Sequence, residues 1–413
     1  MFEDFVFPDM IKPEWESLKS LQQFFMSWFN EERSKAILTF PVVTAAMLIK
    51  DDKPVDLDFT EMCAKELSEG NSFFIYQSKN ADSLASCCRL RNEISDNTFS
   101  YSLGAGGVAT GSINVITLNM NRLIQKKANI LQEVQKIHKY QVAYRKLMEE
   151  YNEASLLPAY KAGFISLEKQ FLTVGINGMA EAAESEGVRV GNNTQYKKFI
   201  NKYLKLIYEE NRNAKKKYGF MFNTEFVPAE NLGIKNSKWD REDGLKVNRD
   251  CYNSYFYIVE DHTINSLDKI TLHGEETIKY LDGGSALHLN LEEAPNKEGF
   301  KKLIHATAKA GCNYFCFNIK ITICNDCNHI DKQSTYACSK CNSVNIDHAT
   351  RVIGYLKKVS NFSSGRQQEH HTRYYHKEIK NQNLHNYRVG LLQRNNEKFL
   401  TESKNNMFKT FNE

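Results

Sequence analysis

No apolar run among the 413 residues approaches the roughly 20 that a membrane-spanning helix needs. The longest candidate, Ala36–Leu48, is interrupted by Thr and Pro, so no span is expected. The N-terminal MFEDFVFPDM lacks the basic flank and small-residue cleavage site of a secretory signal. Export is therefore not expected, and a cytoplasmic location is. Charge of one sign is also missing: 54 Lys and Arg against 50 Asp and Glu leave a formal +4, too balanced for a nucleic-acid-binding surface. Neither an internal repeat nor a P-loop is found. With 41% hydrophobic and 25% charged residues the composition argues against collagen-like, coiled-coil and wholly disordered chains. The length leaves room for two or three domains, or for one large barrel with an appendage.

Ten cysteines are present, and without an export signal they are expected as reduced thiols rather than as a disulfide framework. Their positions matter more than their number. Cys324-x2-Cys327 and Cys338-x2-Cys341, with ten residues between the pairs, can bring four thiolates to one tetrahedral ion. A structural Zn²⁺ suits this set, because four protein ligands leave no open position for substrate, although four cysteines alone do not exclude iron. His329 is the alternative ligand and is more simply a polar residue of the turn. The ribbon offers only Lys332, Lys340 and Tyr336 to a nucleic acid, so its expected role is to brace neighbouring backbone. Cys312 and Cys316 read as core residues on one strand face, about 13 Å apart and too distant for a disulfide.

Pro13 is expected to open an amphipathic helix whose stripe of Leu18, Leu21, Phe25 and Trp28 is core. Strands are expected at Ala36–Leu48, Ser72–Gln77, Ile113–Leu118, Phe171–Ile176, Phe220–Asn223, Tyr255–Val259, Ala286–Asn290 and Asn313–Ile319. Long helical patterns cover Arg122–Tyr151 and Thr194 to Lys216, the second burying Tyr196, Phe199, Tyr203 and Ile207. Such alternation predicts an α/β fold with parallel pairing. Tyr101–Gly111 is a glycine-rich loop, and from residue 378 the chain becomes a polar, Asn- and Lys-rich tail.

Shortly after the last cysteine comes Arg351-Val352-Ile353-Gly354-Tyr355-Leu356, where a lone glycine in a β-like run would by default mark close backbone approach. This segment resembles the R-V-x-G-Y signature of glycyl radical enzymes. With two cysteine hooks just upstream, it resembles the anaerobic, class III ribonucleotide reductases. SCCRL at 86–90, GSINVITLN at 111–119, FVPAEN at 226–231 and LDGGSALHLN at 281–290 occur in that family's order, so residues 1–377 look like the C-terminal part of such an enzyme. Chemistry agrees with the resemblance, since a Cα radical can flatten and delocalise into its flanking amides only where no side chain clashes. Val352, Ile353 and Leu356 would keep it dry.

The resemblance implies about the C-terminal half of the ten-stranded α/β barrel of glycyl radical enzymes and ribonucleotide reductases. Residues 1–322 would be a partial catalytic barrel with a thiyl finger loop, 323–345 a zinc ribbon, 346–377 the glycyl radical loop and 378–413 a flexible tail. The implied activity is reduction of ribonucleoside triphosphates, with Gly354 storing the radical and Cys88, followed by Arg89, starting the substrate chemistry. Cys87 would be its neighbour facing the other way. Glu225 and Glu230 are candidates for acid–base work at the ribose hydroxyls, with helix capping or a surface position as the alternative. Asn119 aligns with a family asparagine lining the site, in some members linked to formate. Implied partners are a radical S-adenosylmethionine activase, which installs the glycyl radical, and either formate or a thioredoxin-like reductant. Relatives also carry a region before the helix at Pro13, so the expectation is either a separate polypeptide supplying the N-terminal half-barrel, as in a split enzyme, or a fragment that does not turn over alone. The other readings are a formate-lyase type of glycyl radical enzyme, against which the zinc ribbon argues, and a catalytically silent zinc-binding partner subunit.

Overall fold

The structure, a computed structural model, describes residues 15–79, 83–86, 90–93, 111–227, 231–352 and 354–376. Its strands are β1 (Thr44–Lys50), β2 (Lys53–Pro54), β3 (Phe74–Ser78), β4 (Ser83–Ser86), β5 (Leu90–Glu93), β6 (Gly111–Asn119), β7 (Gln170–Asn177) and β8 (Met221–Phe226), then β9 (Leu287–Leu291), β10 (Tyr314–Ile319), β11 (Ile321–Cys324), β12 (Ile330–Asp331), β13 (Ile346–Arg351) and β14 (Leu356–Lys358). The helices that matter below are α1 (Trp15–Lys35), α2 (Leu57–Ser68), α3 (Met120–Gln125), α4 (Ile130–Glu153), α5 (Thr194–Tyr218), α6 (Leu232–Glu242), α7 (Ser266–Leu272), α8 (Lys297–Ala310) and α9 (Ser364–Thr372). Among the described residues no helix is long and apolar enough to cross a membrane.

β6, β7 and β8 form a parallel sheet, and β9 runs parallel to β10 in a five-stranded sheet of order β2-β1-β3-β10-β9. A parallel bridge between Glu225 and Gly284 joins the end of β8 to the approach to β9. β1 and β3 are parallel to each other, and β3 meets β10 antiparallel, pairing Tyr76 with Tyr314. The result is an α/β half-barrel. Its strands alternate with period two. Val174, Ile176, Leu287, Leu289, Leu291, Phe315, Phe317 and Ile319 join the main core with helical residues such as Leu204, Phe300 and Ile304. The alternate positions carry Thr117, Asn177, Asn223, Glu225, His288, Asn290 and Asn318. Strands of a parallel sheet are normally apolar on both faces. A polar second face marks the side where chemistry is to be sought.

The helical pattern over Arg122–Tyr151 is broken into α3 and α4, because Lys127 adopts φ 52° and the Asn129 side chain caps α4 by accepting from the Gln132 amide. In α5, Ile200 and Leu204 take the core positions with Tyr196 and Ile207, leaving Phe199 and Tyr203 half-buried. Gly219, at φ 75°, ends this helix in the left-handed conformation that glycine adopts without strain.

Four expectations are corrected. On α1, Leu21 is 60% and Trp28 46% exposed, while Met26, Phe29, Asn30 and Arg33 are buried. Apolar residues occur on several faces of this helix, and polar anchoring selects one: Ser27 and Asn30 both donate to the Glu66 carboxylate of α2, at 2.7 and 3.3 Å. Residues 36–43 are not strand, and β1 begins at Thr44. Tyr255–Val259 is irregular; Tyr255 and Tyr257 are buried, and the Tyr257 hydroxyl donates to the His288 carbonyl at 2.8 Å. Cys312 precedes β10 and packs in the main core, whereas Cys316 packs with Phe74, Tyr76 and Tyr314, so the two are core residues but do not share a strand face.

One buried cation offers a pH test. Lys269 of α7 is fully buried, its ammonium has no hydrogen-bond partner among the described residues, and it lies 4.4 Å from the centroid of the Tyr257 ring. Burial, and secondarily the Arg373 charge, lowers its pKa to about 7. Between that value and the ordinary lysine range the unfolded chain binds the extra proton, so stability rises with pH across this window. Lys269→Met is expected to stabilise the chain by on the order of 3 kcal/mol at neutral pH and by progressively less toward about pH 10. Denaturant unfolding of both chains across this range checks it.

Candidate functional site

Two local structures follow β10, the last strand of the half-barrel. The first is the cysteine cluster. β11, following β10 directly, ends at Cys324, and its antiparallel pairing with β12 and β13 folds both hooks onto one point. The four Sγ atoms lie within 4.8 Å of one another, with Cys324–Cys341 and Cys327–Cys338 both at 3.6 Å. A tetrahedral ion with sulfur at about 2.3 Å requires S···S separations of about 3.8 Å, so the donor set fits such an ion. Backbone amides support the anionic sulfurs: Cys327 N–H donates to Cys324 Sγ and Lys340 N–H to Cys338 Sγ, each at 3.4 Å. The Cys327 amide is the main reason the Cys324 thiol is lowered to about 7. His329 turns elsewhere, with Nε2 3.1 Å from Ser339 Oγ and 3.4 Å from Asp331 Oδ1.

The second structure is the connection between β13 and β14, which pair antiparallel with Arg351 opposite Leu356. Val352, Gly354 and Tyr355 therefore lie at the tip of a hairpin, and Gly354 is buried. Val352 and Leu356 are buried as expected, while Ile353 lies outside the described residues.

The base of this hairpin is pinned to the half-barrel by polar groups. Asn318 of β10 accepts from the Arg351 amide at 3.0 Å through Oδ1 and donates through Nδ2 to Arg351 O at 2.9 Å and to Asn290 Oδ1 of β9 at 2.7 Å. Arg373, just beyond α9, donates to Arg351 O at 2.9 Å and Val352 O at 2.7 Å. Its charge is matched by Glu369, which also pairs with Arg366. Although burial pushes the other way, these two guanidiniums hold the Glu369 carboxyl below the ordinary carboxylate range. Arg351 donates to Ser72 Oγ at 3.2 Å, to Ser72 O at 3.1 Å and to Gly354 O at 2.8 Å, with its guanidinium over the Phe74 ring. Arg33 reaches the same Ser72 carbonyl, and burial followed by the neighbouring Arg351 charge lowers it to about 9.

The expected site residues divide as follows. Glu225 lies on β8, nearly buried, in register with Gly175 of β7, which in turn pairs with Thr117 of β6. At Gly175 an added Cβ would meet Thr117 Oγ1 at 2.4 Å, so only glycine fits between these strands. Asn119 ends β6 on the same face, caps α3 by accepting from the Arg122 amide at 3.2 Å, and donates to Asp240 of α6 at 2.9 Å. Cys87, Cys88 and Glu230 lie outside the described residues. Asn290, Asn318, Glu369 and Arg373 were not singled out from sequence. An asparagine at alternate positions of otherwise apolar LHLNL and YFCFNI was the available signal for two of them.

These features define an α/β half-barrel whose polar face receives a buried glycine hairpin carried on the same small sheet as a four-thiolate cluster. The chain belongs to the anaerobic ribonucleoside-triphosphate reductase family, whose model matches residues 10–376. Among solved structures it is similar to an anaerobic ribonucleotide reductase at 27% identity and TM-score 0.79, over 92% of this chain and 63% of that one. It is also similar to the anaerobic ribonucleotide reductase from Thermotoga maritima solved in complex with dATP and CTP, at 28% identity and TM-score 0.75, over 89% and 63% of the two chains. A glycyl radical enzyme from Archaeoglobus fulgidus, 13% identical with TM-score 0.52 over 84% of this chain and 54% of that one, shares the fold. No curated protein matches. The chain thus spans somewhat under two thirds of the length of the reductase structures it resembles.

Proposed function

We propose that this chain carries the radical-storing part of an anaerobic ribonucleoside-triphosphate reductase, with the glycyl radical on Gly354. The observation that carries the reading is the buried Gly354 in a hairpin fixed by Asn318 and Arg373 over the polar face of the half-barrel. Such a site excludes water and holds the α-carbon still, two conditions for a long-lived carbon radical. A radical S-adenosylmethionine activase removes one hydrogen atom from Gly354. Cys88 then gives its thiol hydrogen to the Gly354 α-carbon, breaking S–H and forming C–H, and the resulting thiyl takes the 3′ hydrogen of the ribose; Cys87 flanks it. Loss of the 2′ hydroxyl as water needs acid–base groups, for which Glu225 and Glu230 are proposed. The two electrons for each reduction come from formate, with Asn119 beside it, which leaves as carbon dioxide and gives one proton while solvent gives the second, or from a thioredoxin-like dithiol, which gives both protons and becomes a disulfide.

In the same reading the ten-stranded barrel is completed by polypeptide outside these 413 residues, on a partner chain in the split-enzyme form. Residues 323–345 form a ribbon holding one structural Zn²⁺ through Cys324, Cys327, Cys338 and Cys341, which braces the radical loop of residues 346–377. The proposed location is the cytoplasm. The test is anaerobic treatment of the full chain with activase, S-adenosylmethionine and a low-potential reductant. An organic radical doublet is expected by electron paramagnetic resonance. Cys88→Ser is expected to retain that doublet and to lose deoxyribonucleotide formation entirely, measured by product chromatography. A wild-type chain that yields no radical, with and without the polypeptide completing the barrel, overturns the proposal in favour of a silent zinc-binding subunit.

A further inference from the structure

We infer that Arg351 sets the electronic character and lifetime of the Gly354 radical through its charged hydrogen bond to the Gly354 carbonyl. The inference rests on the proposal that Gly354 stores the radical. An α-carbon radical in a peptide is stabilised from two sides: the amide nitrogen donates electron density and the carbonyl accepts it. In the contributing form that matters most, negative charge accumulates on the carbonyl oxygen of the radical residue itself. Arg351 Nη1 donates to that oxygen at 2.8 Å. A guanidinium there is a charge-assisted donor, about twice as strong as a neutral one, and it acts in a low-dielectric surrounding.

The geometry is built for this contact. Arg351 is 1% exposed, so water does not compete for the bond. Its plane lies over the Phe74 ring, 5.0 Å from the centroid, and its other donors reach Ser72 Oγ and O on the segment leading into β3. The side chain is therefore fixed from outside the hairpin, and the bond to Gly354 O spans only three residues within it. A lysine would place one point charge there without the planar fork that reaches Ser72 and Gly354 together. Arg373 provides an internal comparison, because it binds Arg351 O and Val352 O, holding the same hairpin without the same contact to the carbonyl of residue 354.

The test compares radical spectra of the full chain after anaerobic activation. Arg351→Gln is expected to change the α-proton splitting and, in chains carrying glycine labelled with carbon-13 at the carbonyl, to lower the carbonyl coupling. The radical should decay about tenfold faster, the consequence of losing a hydrogen bond to a charged donor. Arg351→Lys should recover part of the lifetime. Arg373→Gln should reduce radical yield while leaving the splitting unaltered. Because Arg351→Gln can fail to fold, the wild-type chain is measured as well: with arginine labelled by nitrogen-15, electron–nuclear double resonance should show a nitrogen coupling and an exchangeable-proton coupling to the radical. A wild-type radical without those couplings, or an Arg351→Gln radical identical in spectrum and decay, overturns the inference and leaves Gly354 as the storage site. Absence of any wild-type radical instead overturns the reading on which it rests.

Discussion

Gly354→Ala is expected to abolish the organic radical and to bring deoxyribonucleotide formation down to the assay background, while the chain still folds and binds the proposed zinc. The effect is large because, under the proposed function, it acts on the radical centre itself. A methyl group at the α-carbon crowds the flanking amides when the centre flattens, and it must be placed inside a buried hairpin tip between Val352 and Leu356. An added methylene in such a site costs typically about 1–3 kcal/mol, a loss that most domains survive. Folding is checked by circular dichroism and the radical by electron paramagnetic resonance. In the wild type, exposure of the activated chain to oxygen should cut the backbone at residue 354 and leave an N-terminal fragment ending beside it. An activated Gly354→Ala chain that gives the same doublet and the same cut would place the radical on another residue.

Removing the proposed zinc is the second large expected effect. Cys338→Ser, at a cysteine that is 1% exposed, is expected to lower bound metal from one ion per chain to none and to destabilise the small sheet of β11 to β14 by several kcal/mol. Structural zinc sites contribute on the order of 10 kcal/mol to the folding of the segments they organise, and without the ion four sulfurs held within 4.8 Å have no cation to share. β13 carries Arg351 at its end, so loss of the sheet should also lower the radical yield. Elemental analysis, limited proteolysis around residues 324–345 and radical quantitation measure the three consequences. A colourless protein holding one zinc supports the structural reading; visible charge-transfer bands with bound iron would replace zinc by an iron centre. Full metal retention in Cys338→Ser would remove that residue from the ligand set.

The parts of this site that could be read without coordinates are those whose chemistry is written in short spacings. Two Cys-x2-Cys hooks specify a four-sulfur cluster because three-residue reach is enough for each pair, and the structure brings all four together. The parallel strands were legible from their apolar runs: β6, β7, β8, β9 and β10 fall within a few residues of the expected positions. The stripe on α1 was not, because Leu21, Phe25 and Trp28 have the same spacing as a buried face, and remote polar groups such as the Glu66 carboxylate on another helix and the Lys332 ammonium select the face of Asn30. Tyr255 and Tyr257 likewise have strand spacing but lie in irregular backbone.

The sequence by itself determined the local devices: a glycine between apolar neighbours, a set of thiolates at ligand spacing, and apolar strands alternating with helices. Tertiary structure alone decided how they are joined. Asn318 meets the backbone of Arg351 across 33 residues, Arg373 meets Val352 across 21, and Arg351 reaches Ser72 across 279. Hydrogen bonds of this kind depend on distance and angle after the chain has closed, and a side chain's identity carries no record of which remote carbonyl it will face. That closure turns a glycine in a β-like run into a buried, positively flanked position over a polar sheet face.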